Sequence, residues 1–132
     1  DIILCSLNVR TRQMAVSGKG NCLFHVTEDK IAAVRCDMKE EEQDKQVEYG
    51  FRTGILKLSS GDKVYLSTDG YPDQAGSSHK RYSRKRLSEF LFRIHSLPLQ
   101  EQGDSLYEEI ERWREEGNED QTDDITVIGI RI

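Results

Sequence analysis

The sequence predicts an α+β fold: a run of antiparallel strands, then two helices, then one closing strand. Two observations carry that prediction. In the first half, short apolar segments alternate with polar turns too brief to hold a crossover helix, so neighbouring strands must run antiparallel. In the second half the apolar spacing lengthens to the helical period before a final apolar run closes the chain.

Strands are predicted over residues 2–8, 13–17, 22–26, 31–34, 52–58 and 63–68. The polar turn Thr27-Glu28-Asp29-Lys30 joins the third to the fourth, and Ser59-Ser60-Gly61-Asp62 precedes the sixth. Residues 37–44 are acidic and lack apolar spacing, which predicts a loop. The segment 63–68 reads as a strand buried on both faces. Leu87, Phe90, Leu91 and Ile94 follow the i, i+3, i+4, i+7 spacing of one helical stripe, with Ser83 placed to cap it. Pro98 suits the first turn of a second helix, whose buried face is Leu106, Ile110 and Trp113. Gly103 lies inside that helix, and Gly117 is its expected stop. Residues 118–122 cross back, and 125–132 form the last strand.

Composition bounds the function. The chain has 132 residues, 36% hydrophobic and 33% charged, which suits one globular domain or part of one. Its opening inside an apolar run, Ile2-Ile3-Leu4-Cys5, predicts a chain cut from something longer. No apolar run approaches the roughly 18 residues of a membrane span. A net charge of −5 argues against nonspecific nucleic-acid binding. The basic run Lys80 to Arg86 reads first as a solvated helix start, and second as a landing patch for an acidic or phosphorylated partner. Cys5, Cys22 and Cys36 show no ligand spacing; Cys5 and Cys22 are expected as buried free thiols, in keeping with a cytoplasmic protein. His25, His79 and His95 are scattered and read as structural.

Two acidic features stand at strand ends. Asp69-Gly70 closes the strand 63–68, and Asp123-Asp124 opens the last one. Carboxylates at the ends of rigid strands are well placed to hold a hard cation such as Mg²⁺ or Mn²⁺, which favours oxygen ligands and keeps waters of its own. Gly70 would let backbone and ligand approach closely. Taken singly, Asp-Gly after a strand is ordinarily a turn and Asp-Asp before one a solvated edge.

Together, the segments Val64-Tyr65-Leu66-Ser67-Thr68-Asp69-Gly70-Tyr71-Pro72-Asp73-Gln74 and Gln121-Thr122-Asp123-Asp124-Ile125-Thr126-Val127-Ile128 resemble the paired signatures of the sporulation-E-type branch of the metal-dependent (type 2C) protein serine/threonine phosphatases. The hairpin Ala15-Val16-Ser17-Gly18-Lys19-Gly20-Asn21 and the approach Leu58 to Asp62 resemble it too, in order along residues 1–132. The resemblance implies a β-sandwich of antiparallel sheets with helices outside and a metal cleft between the sheets. It implies that Asp69 and Asp123 are metal ligands, with Gly70 and Asp124 supporting them. It also implies two Mn²⁺ or Mg²⁺ ions and hydrolysis of phosphoserine or phosphothreonine by a metal-activated water, without a protein nucleophile. The substrate would be a phosphorylated signalling protein, such as an anti-sigma-factor antagonist. The loop 75–81 and the cations Arg81, Arg84 and Lys85 are expected to touch it.

The chain departs from the family in one respect. The earlier Asp-x-x-Gly-His-Gly-like segment, which supplies the bridging aspartate, is absent from this sequence. The expectation is therefore an incomplete domain, inactive on its own, with N-terminal strands missing and open sheet edges that invite dimerisation. A non-catalytic, partner-binding relative is the second reading.

Overall fold

A computed structural model describes residues 2–19, 22–35 and 53–132, with the side chains of Lys19, Cys22 and Arg35 left aside. The predicted loop 37–44, Cys36 and the first residue of the predicted strand 52–58 lie outside the described residues. The strands are β1 (Ile2–Asn8), β2 (Gln13–Lys19), β3 (Cys22–Val26), β4 (Ile31–Arg35), β5 (Thr53–Lys57), β6 (Lys63–Ser67) and β7 (Val127–Arg131). The helices are α1 (Gly70–Asp73), α2 (Arg84–Ile94) and α3 (Leu99–Gly117), with a 3-10 turn at Ser77–His79. All seven strands pair antiparallel, in one sheet ordered β1-β2-β5 and another ordered β4-β3-β6-β7.

Alternation along the strands turns these sheets into three layers. Met14, Val16, Leu23, Leu58 and Val64 are buried between the two sheets, with Ile3, Cys5 and Leu7 added from alternate positions of β1. The opposite face of the four-stranded sheet contributes Phe24, Val26 and Tyr65 to a second core. There they meet the helical stripe Leu87, Phe90, Leu91, Ile94, Leu106 and Ile110. Val64 and Tyr65 are thus neighbours in sequence that serve different cores, as a strand buried on both faces requires. Full burial of each such side chain contributes about 1.5–3 kcal/mol. Among the described residues no helix is long and apolar enough to cross a membrane.

Local chemistry explains the helix ends, with two corrections to the expectations. Ser83 caps α2 by accepting a hydrogen bond from the Arg86 amide. Pro98 stands at the N-cap of α3, one place before the first helical turn proper. The stop expected of Gly117 is carried out by Asn118, which takes the left-handed conformation (φ 52°) and donates its amide to the last carbonyls. A third correction concerns Cys5, which is half-buried rather than buried because it belongs to the edge strand of its sheet. The solvated helix start holds for Lys85, but Arg86 is drawn inward.

That inward turn of Arg86 builds a polar network inside the helical layer. Glu109 is 5% exposed and accepts hydrogen bonds from the Tyr82 hydroxyl (3.0 Å), from Arg86 (3.2 Å) and from Arg112. The Arg86 guanidinium lies over the rings of Trp113 (4.2 Å) and Tyr82 (4.8 Å). Tyr71 meets Tyr82 edge-to-face at 5.2 Å and donates its hydroxyl to the Leu106 carbonyl. Burial pushes the Tyr71 and Tyr82 hydroxyls well above the ordinary tyrosine range, and Tyr65 up to about 12. Burial alone would raise the Glu109 carboxyl as well; the hydrogen bonds from Arg112, Tyr82 and Arg86 outweigh it and hold the group below its usual value.

A depressed folded-state pKa stabilises the fold above the unfolded carboxyl value, and the contribution disappears as pH falls through the folded value. Glu109→Gln is expected to lower stability by about 1–2 kcal/mol at pH 7, since both arginines keep some solvent contact. Urea denaturation should show the gap between wild type and variant narrowing steadily below about pH 4. A gap that is constant with pH would show that the carboxylate charge is not what holds α2 to α3.

Candidate functional site

The site follows from how β7 pairs with β6. The ladder runs from Lys63↔Arg131 to Ser67↔Val127. In an antiparallel pair the residues just after β6 must then face those just before β7. Thr68 continues the ladder, its amide donating to the Thr126 carbonyl at 3.0 Å. Its hydroxyl donates to the Asp124 carbonyl at 2.9 Å and accepts from the Thr126 amide at 3.0 Å. Residues separated by 56 positions in the chain are thereby held one turn apart.

Asp69 opens α1 from the N-cap position. An aspartate there ordinarily caps the helix with its own carboxylate. Here the side chain makes no capping hydrogen bond, and the backbone (φ −71°, ψ −18°) is already helical. The carboxylate is half-buried and spared that local duty. Gly70, behind it, is buried against the opposite turn: a Cβ on it would stand 2.4 Å from the Asp124 carbonyl oxygen. A close approach at this glycine is made by the backbone of the second acidic turn.

Asp123 and Asp124 are both exposed. One oxygen of Asp123 accepts the Asp124 amide at 2.7 Å, and Gln121 donates its side-chain amide to the Asp123 carbonyl at 2.8 Å. Asp124 contributes through its backbone, as the partner of Thr68. On the other side, the Gln74 side chain reaches the Asp120 carbonyl at 2.9 Å.

The remaining candidate residues lie on the adjoining segment. Arg81 is exposed and pairs with Asp73 at 3.2 Å. Lys85 is exposed on the first turn of α2, 3.9 Å from Glu89. Arg84 is half-buried on the same turn. The loop between Gln74 and Tyr82 is more ordered than its polar composition predicts. It carries the 3-10 turn, an Ala75↔Arg81 bridge, and a contact from the His79 ring to the Glu119 carboxylate at 2.5 Å. Gly76 and Gly117 let it lie flat on α3, since a Cβ on Gly76 would enter the Trp113 indole and one on Gly117 would strike Gly76. His25 pairs with Asp62 at 2.8 Å, at the far end of β6. His95 bonds the Phe92 carbonyl. These are structural contacts.

The donor set is all oxygen. Asp69 and Asp123 stand on facing turns, which suits one side of a hydrated hard cation that retains water ligands. Among the described residues no three His, Cys, Asp or Glu side chains converge to enclose an ion. Sequence reasoning missed Thr68 and Gln74, although both flank the Asp-Gly pair; neither a buried glutamine nor a strand-end threonine leaves a periodic signal.

Comparison with known proteins covers the chain almost from end to end. The family described as stage II sporulation protein E (SpoIIE) matches residues 4–132. Among solved structures, the SiaA-PP2C domain of Pseudomonas aeruginosa superposes with a TM-score of 0.81 at 25% identity, over 98% of this chain and 50% of that one. The phosphatase domain of the cell fate determinant SpoIIE from Bacillus subtilis, presoaked with Mn, gives 0.70 at 21% identity, over 99% of this chain and 56% of that one. A crystal form of that domain without domain swapping gives 0.70 at 18% identity, over 95% and 52%. The chain therefore spans about half the length of these solved chains. No curated protein sequence matches it significantly.

The packing at Gly70 gives a test with a built-in opposite. Gly70→Ala should destabilise the chain by about 1–3 kcal/mol, because backbone and not a flexible side chain must move. Gly103→Ala, where a Cβ meets nothing within 4 Å, should stabilise it by about 1 kcal/mol through helix propensity alone. Urea titration of both variants reads the two signs.

Proposed function

Because the chain belongs to the SpoIIE family, we propose that it is the metal-carboxylate-bearing part of a phosphoserine/phosphothreonine protein phosphatase of bacterial signalling. The observation that supports this reading is the junction of the two acidic turns, in which the β6–β7 ladder, the Thr68 hydroxyl and Gly70 hold the turn that starts at Asp69 against the Asp124 carbonyl, next in sequence to Asp123. Asp69 and Asp123 would hold Mn²⁺ or Mg²⁺, two ions being expected in a complete domain. When bound, such ions supply an activated water and neutralise charge on the phosphoryl group. The chain's own share is geometric. β6 and α1 fix the origin of the Asp69 carboxylate, and the Asp124 amide holds one oxygen of Asp123. No side-chain nucleophile is assigned: the Cys5 thiol lies between the sheets.

Arg81 precedes α2 and pairs with Asp73 at the end of α1, and Arg84 and Lys85 open α2, so the three cations form one basic segment after the Asp69 turn. We assign them to contact with the phosphorylated protein, which the family resemblance suggests is an anti-sigma-factor antagonist or a similar cytoplasmic signalling protein. A second reading, a phosphatase-like module that binds a partner without catalysis, is favoured by one observation: the described carboxylates do not by themselves form a group of three ligands.

Calorimetric titration with Mn²⁺ separates the two readings. The wild-type chain is expected to bind, Asp69→Asn to lose that binding, and p-nitrophenyl phosphate hydrolysis by the chain alone to be negligible. A wild-type chain that takes up no Mn²⁺ would favour the partner-binding module. Replacing Arg81, Arg84 and Lys85 together by alanine, in protein carrying phosphoprotein phosphatase activity, should raise KM for the phosphoprotein several-fold with Mn²⁺ affinity unchanged. An unchanged KM would remove the three cations from the substrate surface.

A further inference from the structure

Gln74 is fully buried, at 0% exposure, and is the residue through which four segments meet. Its main-chain carbonyl accepts the Tyr82 amide at 2.9 Å, ahead of α2, and the Trp113 indole N–H at 3.1 Å, from α3. Its side-chain amide donates to the Ala75 carbonyl at 3.1 Å and to the Asp120 carbonyl at 2.9 Å. The side-chain oxygen has no hydrogen-bond partner among the described residues. An apolar side chain of the same length would fill this space without stranding that oxygen. Packing alone therefore does not explain a glutamine here. What glutamine adds is a pair of N–H donors, one of them aimed at the acidic loop.

That loop is held at two points. Thr68, one residue before Asp69, grips the Asp124 carbonyl; Gln74, five residues after Asp69, grips the Asp120 carbonyl. Asp123 lies between the grips, and its surroundings are exposed. Between these two grips, the hydrogen bonds shown for residues 121–123 are the short ones within the loop itself.

We propose that Gln74 is a positioning residue that clamps the acidic loop and so sets the placement of Asp123 relative to Asp69 before a cation arrives. The inference rests on the reading of those carboxylates as metal ligands. Preorganisation of this kind strengthens binding because the ion no longer has to order the loop.

Gln102 provides a matched control. It too is a buried glutamine, 2% exposed, but all its bonds are structural: it accepts the Tyr65 hydroxyl at 2.5 Å and donates to the His95 and Leu97 carbonyls. The experiment compares Gln74→Met and Gln102→Met in the ¹⁵N-labelled chain, with backbone order parameters and Mn²⁺ affinity as readouts. Gln74→Glu, which keeps the shape but cannot donate when ionised, repeats the test should the methionine variant fold poorly. The expected result is a fall of the order parameters of residues 121–124 to below about 0.6 in the Gln74 variants, with β6 and α3 unchanged. Mn²⁺ dissociation constants should rise roughly 10-fold. Gln102→Met should lower thermal stability and leave both readouts alone. Unchanged loop order, loosening spread over the whole chain, or an equal effect of Gln102→Met would each overturn the clamp. Mn²⁺ binding that disappears in Asp69→Asn but is indifferent to Gln74 would overturn the inference and spare the phosphatase reading. A wild-type chain that binds no Mn²⁺ would remove both.

Discussion

The antiparallel register of β6 with β7 is the constraint on which the rest of the structure depends. Ser67 opposite Val127 leaves the adjoining turns no freedom: the exit of one strand faces the entrance of the other. A slip of one residue would turn Tyr65 away from the helical core and Val64 away from the sandwich, so the two cores lock the register from both sides. The acidic turns inherit that definition. Their approach is then tightened at short range, by the Thr68 hydroxyl on the Asp124 carbonyl and by the absence of a Cβ at Gly70. Hydrophobic burial chooses the pairing, and a few polar contacts refine it.

The helices look, at first sight, remote from this junction, yet they make the pairing reachable. β6 and β7 are far apart in sequence, and closing so long a loop is unfavourable unless the intervening chain folds on its own account. α2 and α3 supply that by burying Leu87, Phe90, Leu91, Ile94, Leu106 and Ile110 on the outer face of the same sheet that β7 completes. Glu109, held by Tyr82, Arg86 and Arg112, fixes one helix against the other. Breaking one member would leave the others with unmet charge or hydrogen-bonding demand, which is why a network in this position specifies geometry as much as it stabilises.

What the sequence made legible was whatever repeats. The stripe from Leu87 to Ile94, the doubly buried strand 63–67 and the Ser83 cap follow from periods and local preferences, and the structure has them. The illegible parts are single events. α1 is one turn long, too short to show a period, and Pro72 with Asp73 reads equally well as a turn. Arg86 and Glu109 are charged, so pattern reading places them in water; only the facing helix reveals that they meet. The helix stop at Asn118 rather than Gly117 has the same origin, because Gly117 is taken up by its contact with Gly76. Of the site, the two acidic motifs were visible and the residues that hold them together were not. Asp69 and Asp123 carry a recognisable composition, whereas Thr68 and Gln74 act through carbonyls that any sequence would provide.

The pinned hairpin 75–81 links these two levels. Because Gly76 lies against the Trp113 indole and Gly117 against Gly76, the C-terminal end of α3 is registered on the segment that leaves α1. Trp113 also donates to the Gln74 carbonyl and packs edge-to-face with Tyr82 at 5.6 Å. The start of the acidic loop is the chain that leaves α3 at Asn118, and Glu119 immediately binds His79 of the hairpin. Any movement of α3 along its axis would therefore have to break the Trp113 hydrogen bond to Gln74 and the contact of Glu119 with His79, or carry the hairpin and the loop with it. The two acidic turns are joined directly through β6 and β7 and again, by a longer route, through α3. Two routes to one placement let the fold itself set how the two acidic turns stand to each other.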